Sequence, residues 1–379
     1  MDQKLLGEVH LIFRDSVRKF LEREILPEFD NWEREGIVPR KAWKKMGESG
    51  FLCPWLEEEY GGPGGDFLCS LIICEEFFYR GVTGLLAPLH SDVIVPYLYS
   101  FGNEEQKRRW LPGCASGDIL TAIAMTEPDT GSDLAAIRTS AIRSGDHFVL
   151  NGRKTFISLG IQADLVIVVA KTDPGAGHKG VSLLCVESGT PGFGRGKKLD
   201  KMGWRSQDTA ELFFEDCPVP VANLLGQEGK GFYYLMEKLQ QERLMASVMA
   251  QSMAEAMLDM TVEYCRNRRV FSTPVGAFQH NTFKIVEMAT EIELGRTFLD
   301  SLIADHTAGR EVTKRVSMAK AWIPEMANRV AYNCVQLHGG YGYMEEYPIC
   351  RFARDVRVIP IFAGTTEIMK VIIGKMMGF

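Results

Sequence analysis

The fold is decided by the stretch Phe148-Val149-Leu150-Asn151-Gly152-Arg153-Lys154-Thr155-Phe156-Ile157-Ser158. Apolar and β-branched residues flank an Asn-Gly pair, which is the strongest short-range signal for a β-hairpin. Further short apolar runs, separated by glycine and proline, predict strands at residues 165–170, 181–186 and 210–214. Because no helical pattern of 10–15 residues intervenes, residues 121–222 predict an antiparallel sandwich or barrel rather than parallel βαβ units.

Helical periodicity surrounds this β segment on both sides. Upstream, apolar residues from Val9 to Leu21 and from Leu68 to Phe78 recur at three- and four-residue steps. Downstream, the pattern predicts long helices at 232–268, 281–308 and 313–337, the last kinked or broken at Pro324. The chain is thus predicted to be α+β, with an N-terminal helical domain (1–120), a middle β domain (121–230) and a C-terminal domain resembling a four-helix bundle (231–379).

Composition narrows the class of protein. The 379 residues are 46% hydrophobic and 24% charged, as in an ordinary globular protein, and the net charge of −6 gives no overall attraction to nucleic acid. No run approaches about 18 apolar residues, so no membrane span is predicted. The nine cysteines form no Cys-x-x-Cys pair and lie among apolar neighbours, which indicates buried thiols in a reducing compartment. No histidine and cysteine cluster predicts a metal site.

The first residues, Met1-Asp2-Gln3-Lys4, are not followed by the apolar core of a secretion signal. We therefore expect a cytoplasmic protein if the source is bacterial. For a eukaryotic protein that has been processed, the expectation is the mitochondrial matrix.

One turn near the end of the chain, within Pro360–Lys370, has the form of a ligand-binding turn. An Ala-Gly-Thr sequence follows an apolar run and opens a helix, which presents backbone N–H groups to a phosphate or a flavin. Ala363 can neither accept nor donate a proton, so an enzymatic base must lie elsewhere. The Rossmann, Walker A and G-x-S-x-G patterns are all absent.

A candidate base lies on the predicted helix through residues 240–260. Glu242 is the only charge on its apolar stripe of Leu239, Glu242, Ala246, Met249, Met253, Ala256 and Met260. Moving an unpaired carboxylate from water into the protein interior costs on the order of several kcal/mol, so its presence on an apolar stripe needs an explanation. Two interpretations stay open: a structural glutamate, ion-paired or bonded to backbone, or a general base facing a pocket. Arg243, about 100° further round the helix, can balance the charge from outside the stripe.

Several motifs together, in order along almost the whole chain, resemble the acyl-CoA dehydrogenase family. They are Ala124-Met125-Thr126-Glu127-Pro128-Asp129-Thr130-Gly131-Ser132-Asp133, Met202-Gly203-Trp204-Arg205 with Asp208-Thr209, Arg268-Arg269-Val270-Phe271 with Phe278-Gln279, and Gln336-Leu337-His338-Gly339-Gly340-Tyr341-Gly342-Tyr343.

The resemblance implies bound FAD and assigns residues to it. On the flavin side it implies Met125, Thr126, Ser132, Phe156 and Ser158. For the pyrophosphate and adenosine end, from a neighbouring subunit, it implies Arg268, Phe271, Gln279, Gln336, Gly339 and Gly340. Thr365 and Glu367 would cap the phosphate region. Ser132 and Arg243 are also expected at the substrate. The implied partners are an acyl-CoA substrate, electron-transfer flavoprotein and a homotetramer built as a dimer of dimers.

The usual family base is a glutamate at the position of Ala363. The long-chain and isovaleryl members instead carry the base at a Glu-Arg step on the helix, which Gln241-Glu242-Arg243-Leu244 resembles, the long-chain version most closely. The implied reaction is removal of an α-proton by Glu242 and hydride transfer from the β-carbon to FAD, giving a trans-2-enoyl-CoA of a long or branched acyl chain. The backbone N–H of Ala363 is expected to bind the thioester oxygen. Two departures from the family pattern are Ser272, where glycine is usual after the phenylalanine, and Ala363, where long-chain members more typically have glycine.

The sequence is compatible with three other functions. An acyl-CoA oxidase would share the motifs but pass electrons to oxygen, although its chains are usually much longer. A non-catalytic protein could bind flavin and acyl-CoA without reducing the flavin. A helical interaction protein would bind no FAD.

Overall fold

The computed structural model describes Met1 and residues 5–379; Asp2, Gln3 and Lys4, on which the localisation expectation partly rests, lie outside the described residues. Helices occupy both ends of the chain. In the first part they are α1 (Glu8–Phe20), α2 (Leu26–Glu35), α3 (Arg40–Glu48), α4 (Phe67–Tyr79), α5 (Val95–Phe101) and α6 (Glu104–Ser116). In the last part they are α7 (Gly231–Asn267), α8 (Gln279–Thr307), α9 (Thr313–His338), α10 (Pro348–Asp355) and α11 (Thr366–Met376). A π-helical turn, Leu89–Ile94, leads into α5.

Strands fill the middle of the chain. They are β1 (Thr121–Ala124), β2 (Ser140–Ser144), β3 (His147–Ser158), β4 (Leu165–Lys171), β5 (Val181–Glu187), β6 (Phe193–Lys198), β7 (Thr209–Pro220) and β8 (Leu224–Leu225), with a separate hairpin of β9 (Arg269–Val270) and β10 (Thr273–Pro274). The main sheet has the order β6-β7-β3-β2-β4-β5-β8, with β1 added on β4. Its pairs are antiparallel except β1–β4 and β2–β4, which are parallel. The predicted α+β order of helices, sheet and helices is confirmed, whereas the residue limits of the domains stay a prediction.

The hairpin predicted at Asn151-Gly152 is wrong. Strand β3 runs straight through both residues, and the chain turns earlier, between Ser144 and His147, which pair at the end of β2 and β3. Gly152 instead serves a close approach at a β-bulge: a Cβ there would lie 2.4 Å from the Thr139 hydroxyl. The same glycine that suggests a turn therefore permits close packing of Thr139 against the bulge.

Two details of the helix predictions also differ from the structure. The sequence predicts a kink or a break at Pro324, and no break occurs. Helix α9 continues as one helix through the proline, and the Asn328 amide donates to the Pro324 carbonyl at 2.8 Å. Val9 and Ile12 belong to α1 but are exposed, since this helix buries Val17 near its other end. Packing against neighbouring helices, rather than periodicity alone, decides which turns of a helix are covered.

The longest helix, α7, lies at the centre of the molecule. It packs against α4, α8 and α9, and its residues from Glu242 to Met257 are buried on nearly every face. The nine cysteines are unpaired, and only Cys350 is not fully buried, as the composition predicts. Among the described helices, none is both long enough and apolar enough to cross a membrane. Helix α7 also contacts strand β5 of the sheet, so it lies between the C-terminal helices and the middle domain.

Candidate active site

Glu242 lies on α7 with 8% of its surface exposed. The Tyr97 hydroxyl of α5 donates a hydrogen bond to Glu242 Oε1 at 3.3 Å. Among the described residues, no basic group forms an ion pair with this carboxylate. This argues against the interpretation of Glu242 as half of a structural ion pair. Burial raises the pKa of Glu242 to about 7, against the opposing effects of the Tyr97 hydrogen bond and the Arg243 charge. A carboxyl group with a pKa near 7 is suited to general-base chemistry.

Arg243 is also buried, which the apolar stripe did not predict. Because α7 is enclosed on several sides, the position about 100° from Glu242 is covered as well. Burial lowers the pKa of Arg243, and its Nε atom has no hydrogen-bond partner among the described residues. A Cβ built on Gly364 would lie 4.0 Å from that Nε. The guanidinium therefore lies beside the Ala363-Gly364 turn.

The Ala363-Gly364 turn is held by a lysine that the sequence interpretation missed. Lys320 of α9 donates to the carbonyl oxygens of Ile359 at 2.7 Å and Gly364 at 3.1 Å. Ala363 has a φ of 53° and Gly364 a φ of 92°, so two consecutive residues are left-handed. Burial, helped by the nearby Arg243 charge, lowers the pKa of Lys320 to about 7. The signal was available, because Lys320 is a lone charge among apolar positions of its helix.

Met125 and Thr126, predicted to line the flavin, are held by β3. Lys154 donates to the Met125 carbonyl at 3.0 Å and to the Glu127 carboxylate at 2.9 Å, and the Thr155 N–H donates to the Thr126 carbonyl at 2.9 Å. Phe156 then projects outward, 68% exposed, with a φ of 58°. Ser158 ends the same strand, half-buried, and Ser132 is exposed on the loop after β1.

The predicted adenosine-end residues gather around the end of α7. The Arg268 guanidinium lies over the Tyr341 ring, 5.2 Å from its centroid, which places it beside the Gly339–Tyr343 turn. A Cβ on Gly339 or Gly340 would meet nothing within 4 Å, so the backbone there is open to a ligand. Arg268, Gln279, Gln336 and Glu367 are exposed, and Thr365 caps α11 by accepting from the Ile368 N–H at 3.3 Å.

The predicted site residues thus form three groups within one chain. Glu242, Arg243 and the Ala363 turn form one group. Met125 and Thr126 lie with the Phe156 strand in a second, and the third surrounds Arg268. Among the described residues, no hydrogen bond joins the second group to the third.

The β9–β10 hairpin ends in a strained turn. Its two central residues, Phe271 and Ser272, have φ values of 49° and 62°, as a two-residue type I′ turn requires, and Phe271 is 93% exposed. Since a non-glycine residue pays about 1–2 kcal/mol for this conformation, we expect Ser272→Gly to stabilise the protein by up to about 1 kcal/mol. The measurement is the midpoint of thermal unfolding at fixed FAD concentration.

The matched control is Ser144→Gly at an exposed serine that does not have a positive φ. That substitution only adds freedom to the unfolded chain and is expected to lower the midpoint. Equal effects of the two substitutions would show that the turn is not strained.

The exposed phenylalanine, the open glycine backbone and the cation at Arg268 fit a flavin dinucleotide. Together with the helix–sheet–helix fold and the buried carboxyl group of Glu242, they are the features expected of an FAD-dependent oxidoreductase acting on a CH–CH bond, the class to which the family models assign the chain. Family models match almost the whole chain: "Acyl-CoA dehydrogenase, N-terminal domain" over residues 7–118, "middle domain" over 122–217 and "C-terminal domain" over 229–378. The chain belongs to the acyl-CoA dehydrogenase family.

Individual relatives agree over nearly their full lengths. The mitochondrial long-chain specific acyl-CoA dehydrogenase of Rattus norvegicus is 47% identical over 375 residues, covering 98% of this chain and 87% of the relative. A crystal structure of an acyl-CoA dehydrogenase from Geobacillus kaustophilus is 55% identical, with a TM-score of 0.97 and 99% of each chain covered. A solved structure described as an electron transferring flavoprotein of Acidaminococcus fermentans contains a chain 36% identical, with a TM-score of 0.93 and 98% of each chain covered.

Proposed function

We propose that this enzyme dehydrogenates long-chain or branched acyl-CoA thioesters to trans-2-enoyl-CoA, with Glu242 as the base. The observation that carries the proposal is a buried carboxyl group, with a pKa raised to about 7, on the helix that faces the Ala363 turn. Bound FAD supplies the acceptor for the hydride that leaves the β-carbon. The long-chain assignment is supported by the Gln241–Leu244 sequence and by the name of the 47% identical relative.

Glu242 and the Ala363 turn are proposed to act on different atoms of the thioester. Glu242 takes the α-proton as a carboxylate, while the Ala363 N–H donates to the thioester oxygen as negative charge develops there. Lys320 fixes the turn that carries this N–H through its two carbonyl hydrogen bonds. Because the N–H belongs to the backbone, an alanine side chain leaves that role intact. Arg243 and Ser132 are proposed to contact the substrate.

The cofactor residues are proposed as the family resemblance assigns them. Met125, Thr126, Ser132, Phe156 and Ser158 would hold the flavin, and Thr365 and Glu367 would cap the phosphate region. The exposed group of Arg268, Phe271, Gln279, Gln336, Gly339 and Gly340 would hold the remainder of an FAD bound mainly by a neighbouring subunit. The exposure of this third group, and its separation from the flavin group, support a site shared between subunits.

A homotetramer is proposed on the basis of exposed apolar side chains in the C-terminal helices. Helix α8 exposes Phe283, Val286 and Leu294, and α9 exposes Trp322 and Tyr332. Large exposed apolar residues clustered on two long helices are typical of a protein interface. Such an interface would also bring the Arg268 group of one subunit towards another subunit.

Electron-transfer flavoprotein is proposed as the acceptor, supported by the related chain in the structure from Acidaminococcus fermentans. The test is anaerobic bleaching of the flavin by acyl-CoA substrates from short straight-chain to long and branched. We expect the fastest bleaching with the long or branched members. Hydrogen peroxide released stoichiometrically in air would indicate an oxidase, and binding without bleaching would indicate a non-catalytic protein.

The ionisation of Glu242 predicts a pH dependence. A general base works only when deprotonated, and the pKa of Glu242 is raised to about 7, so flavin reduction should increase about tenfold between about pH 6 and pH 8. The measurement is anaerobic stopped-flow reduction at saturating acyl-CoA. A flat profile across this range would contradict the role of this carboxyl group.

A further inference from the structure

Among the described residues, the Tyr97 hydroxyl is the side-chain group that hydrogen-bonds to the proposed base, and the mechanism proposed for Glu242 does not use it. The side chain is fully buried, and its hydroxyl donates to Glu242 Oε1 at 3.3 Å. Among the described residues, no hydrogen bond reaches Glu242 Oε2. One carboxylate oxygen is therefore occupied and the other is left for a substrate hydrogen.

The position of Tyr97 is set by contacts on both sides of it. Its ring lies 6.1 Å from the ring of Phe101, which stacks on Tyr234 of α7 at 4.0 Å between centroids. Before α5, the Gln241 amide donates to the Asp92 carbonyl at 2.6 Å and ties the π-helical turn to α7 next to Glu242. These contacts fix α5 against α7 on both sides of the Tyr97 hydroxyl.

We propose that Tyr97 is a positioning residue that holds Glu242 as a carboxylate and directs its free oxygen towards the substrate. This inference rests on the proposed function of Glu242 as the base. A hydrogen bond donated to a carboxylate favours the charged form, so it opposes the effect of burial. Without it, Glu242 would be protonated over more of the pH range in which the enzyme must work.

Few other charges act on this pair. Arg243 and Glu237, both on α7, are the other charged groups whose fields act on Tyr97 and Glu242. The Asp92 carboxyl of the π-helical turn faces Ser70 and Trp55, and Lys320 of α9 faces Arg243. Since none of these groups changes in a Tyr97→Phe variant, a shift in the ionisation of Glu242 would report the lost hydroxyl.

The test compares pH profiles of anaerobic flavin reduction for the wild-type holoenzyme and Tyr97→Phe. In each profile, the acidic limb is the pH range over which the reduction rate rises as Glu242 loses its proton. We expect Tyr97→Phe to move this limb to higher pH by about one unit, with KM changed by less than about twofold. The matched control is Tyr99→Phe on the same helix, which removes a hydroxyl bonded to Glu57 at 2.7 Å and should leave the limb in place. A uniform loss of rate with an unmoved limb would overturn the proposal, because it would show a packing role only.

A second measurement covers a Tyr97→Phe variant that does not fold. Replacing tyrosine throughout the protein with 3-fluorotyrosine keeps the rings and strengthens the hydroxyl as a donor, so the limb should move to lower pH; an unmoved limb would again overturn the proposal. The Glu242→Gln variant distinguishes a failure of the proposed base from a failure of the proposed role of Tyr97. Wild-type reduction by Glu242→Gln would overturn the proposed base itself, whereas an inactive Glu242→Gln with an unmoved Tyr97→Phe limb would overturn only the role of Tyr97.

Discussion

Glu242→Gln is expected to keep its yellow FAD and its affinity for acyl-CoA but to lose flavin reduction by at least about a hundredfold, the lower end for a general base. The amide has nearly the shape of the carboxyl group and can still accept a hydrogen bond from Tyr97. It cannot take a proton from carbon. Single-turnover reduction at 450 nm under nitrogen isolates this step from reoxidation and product release.

The control for this substitution is Glu263→Gln, on the exposed part of the same helix. It changes the charge of α7 by the same amount without touching the buried group. We expect reduction at the wild-type rate. If both variants lose activity equally, the loss reflects a change in helix charge rather than removal of a base. Full activity of Glu242→Gln would exclude Glu242 as the base.

Lys154→Met is expected to lower stability by about 3–5 kcal/mol, the usual cost of leaving one partner of a buried ion pair alone. Lys154 is fully buried, and its ammonium group contacts both Glu127 and the Met125 carbonyl. Burial raises the pKa of Glu127, but Lys154 and the hydrogen bonds from Thr139 and Arg138 outweigh burial and lower it overall. Removing the lysine leaves a charged carboxylate inside the protein. The midpoint of urea unfolding at fixed protein and FAD concentrations measures the loss.

Lys197→Met, at an exposed position of the edge strand β6, is the matched control and should leave the midpoint nearly unchanged. Adding Glu127→Gln to Lys154→Met should restore part of the stability, because the stranded charge is then removed. A double variant as unstable as the sum of the two single variants would show that the two side chains act independently.

The order of helices and strands could be predicted from periodicity because it depends on local patterns that survive packing. The Asn151-Gly152 hairpin could not, since the glycine at this position is required by the close approach of Thr139, which lies beside it just before the neighbouring strand β2. The same limit explains Val9 and Ile12, which obey helical spacing but are exposed in α1. Local patterns predict an element, whereas its neighbours decide its exposure.

In the candidate site, too, local sequence patterns predict some residues and miss those whose role depends on contacts distant in sequence. Glu242 could be singled out because a lone carboxylate on an apolar stripe demands an explanation. Lys320 carried the same signal but bonds to carbonyl oxygens far along the chain, a contact that periodicity does not reveal. Tyr97 gave no local signal at all, because a tyrosine in a buried helix is ordinary until the atom facing its hydroxyl is known.

The continuous helix α7 connects Glu242 to Arg268 over 26 residues, or about 39 Å at the α-helical rise per residue. Inserting or deleting one residue between them would rotate one end against the other by about 100° as well as change their separation. The segment should therefore accept no change in length. If Arg268 serves the cofactor of a neighbouring subunit, the length of this one helix also sets the spacing between reaction centres in the assembly.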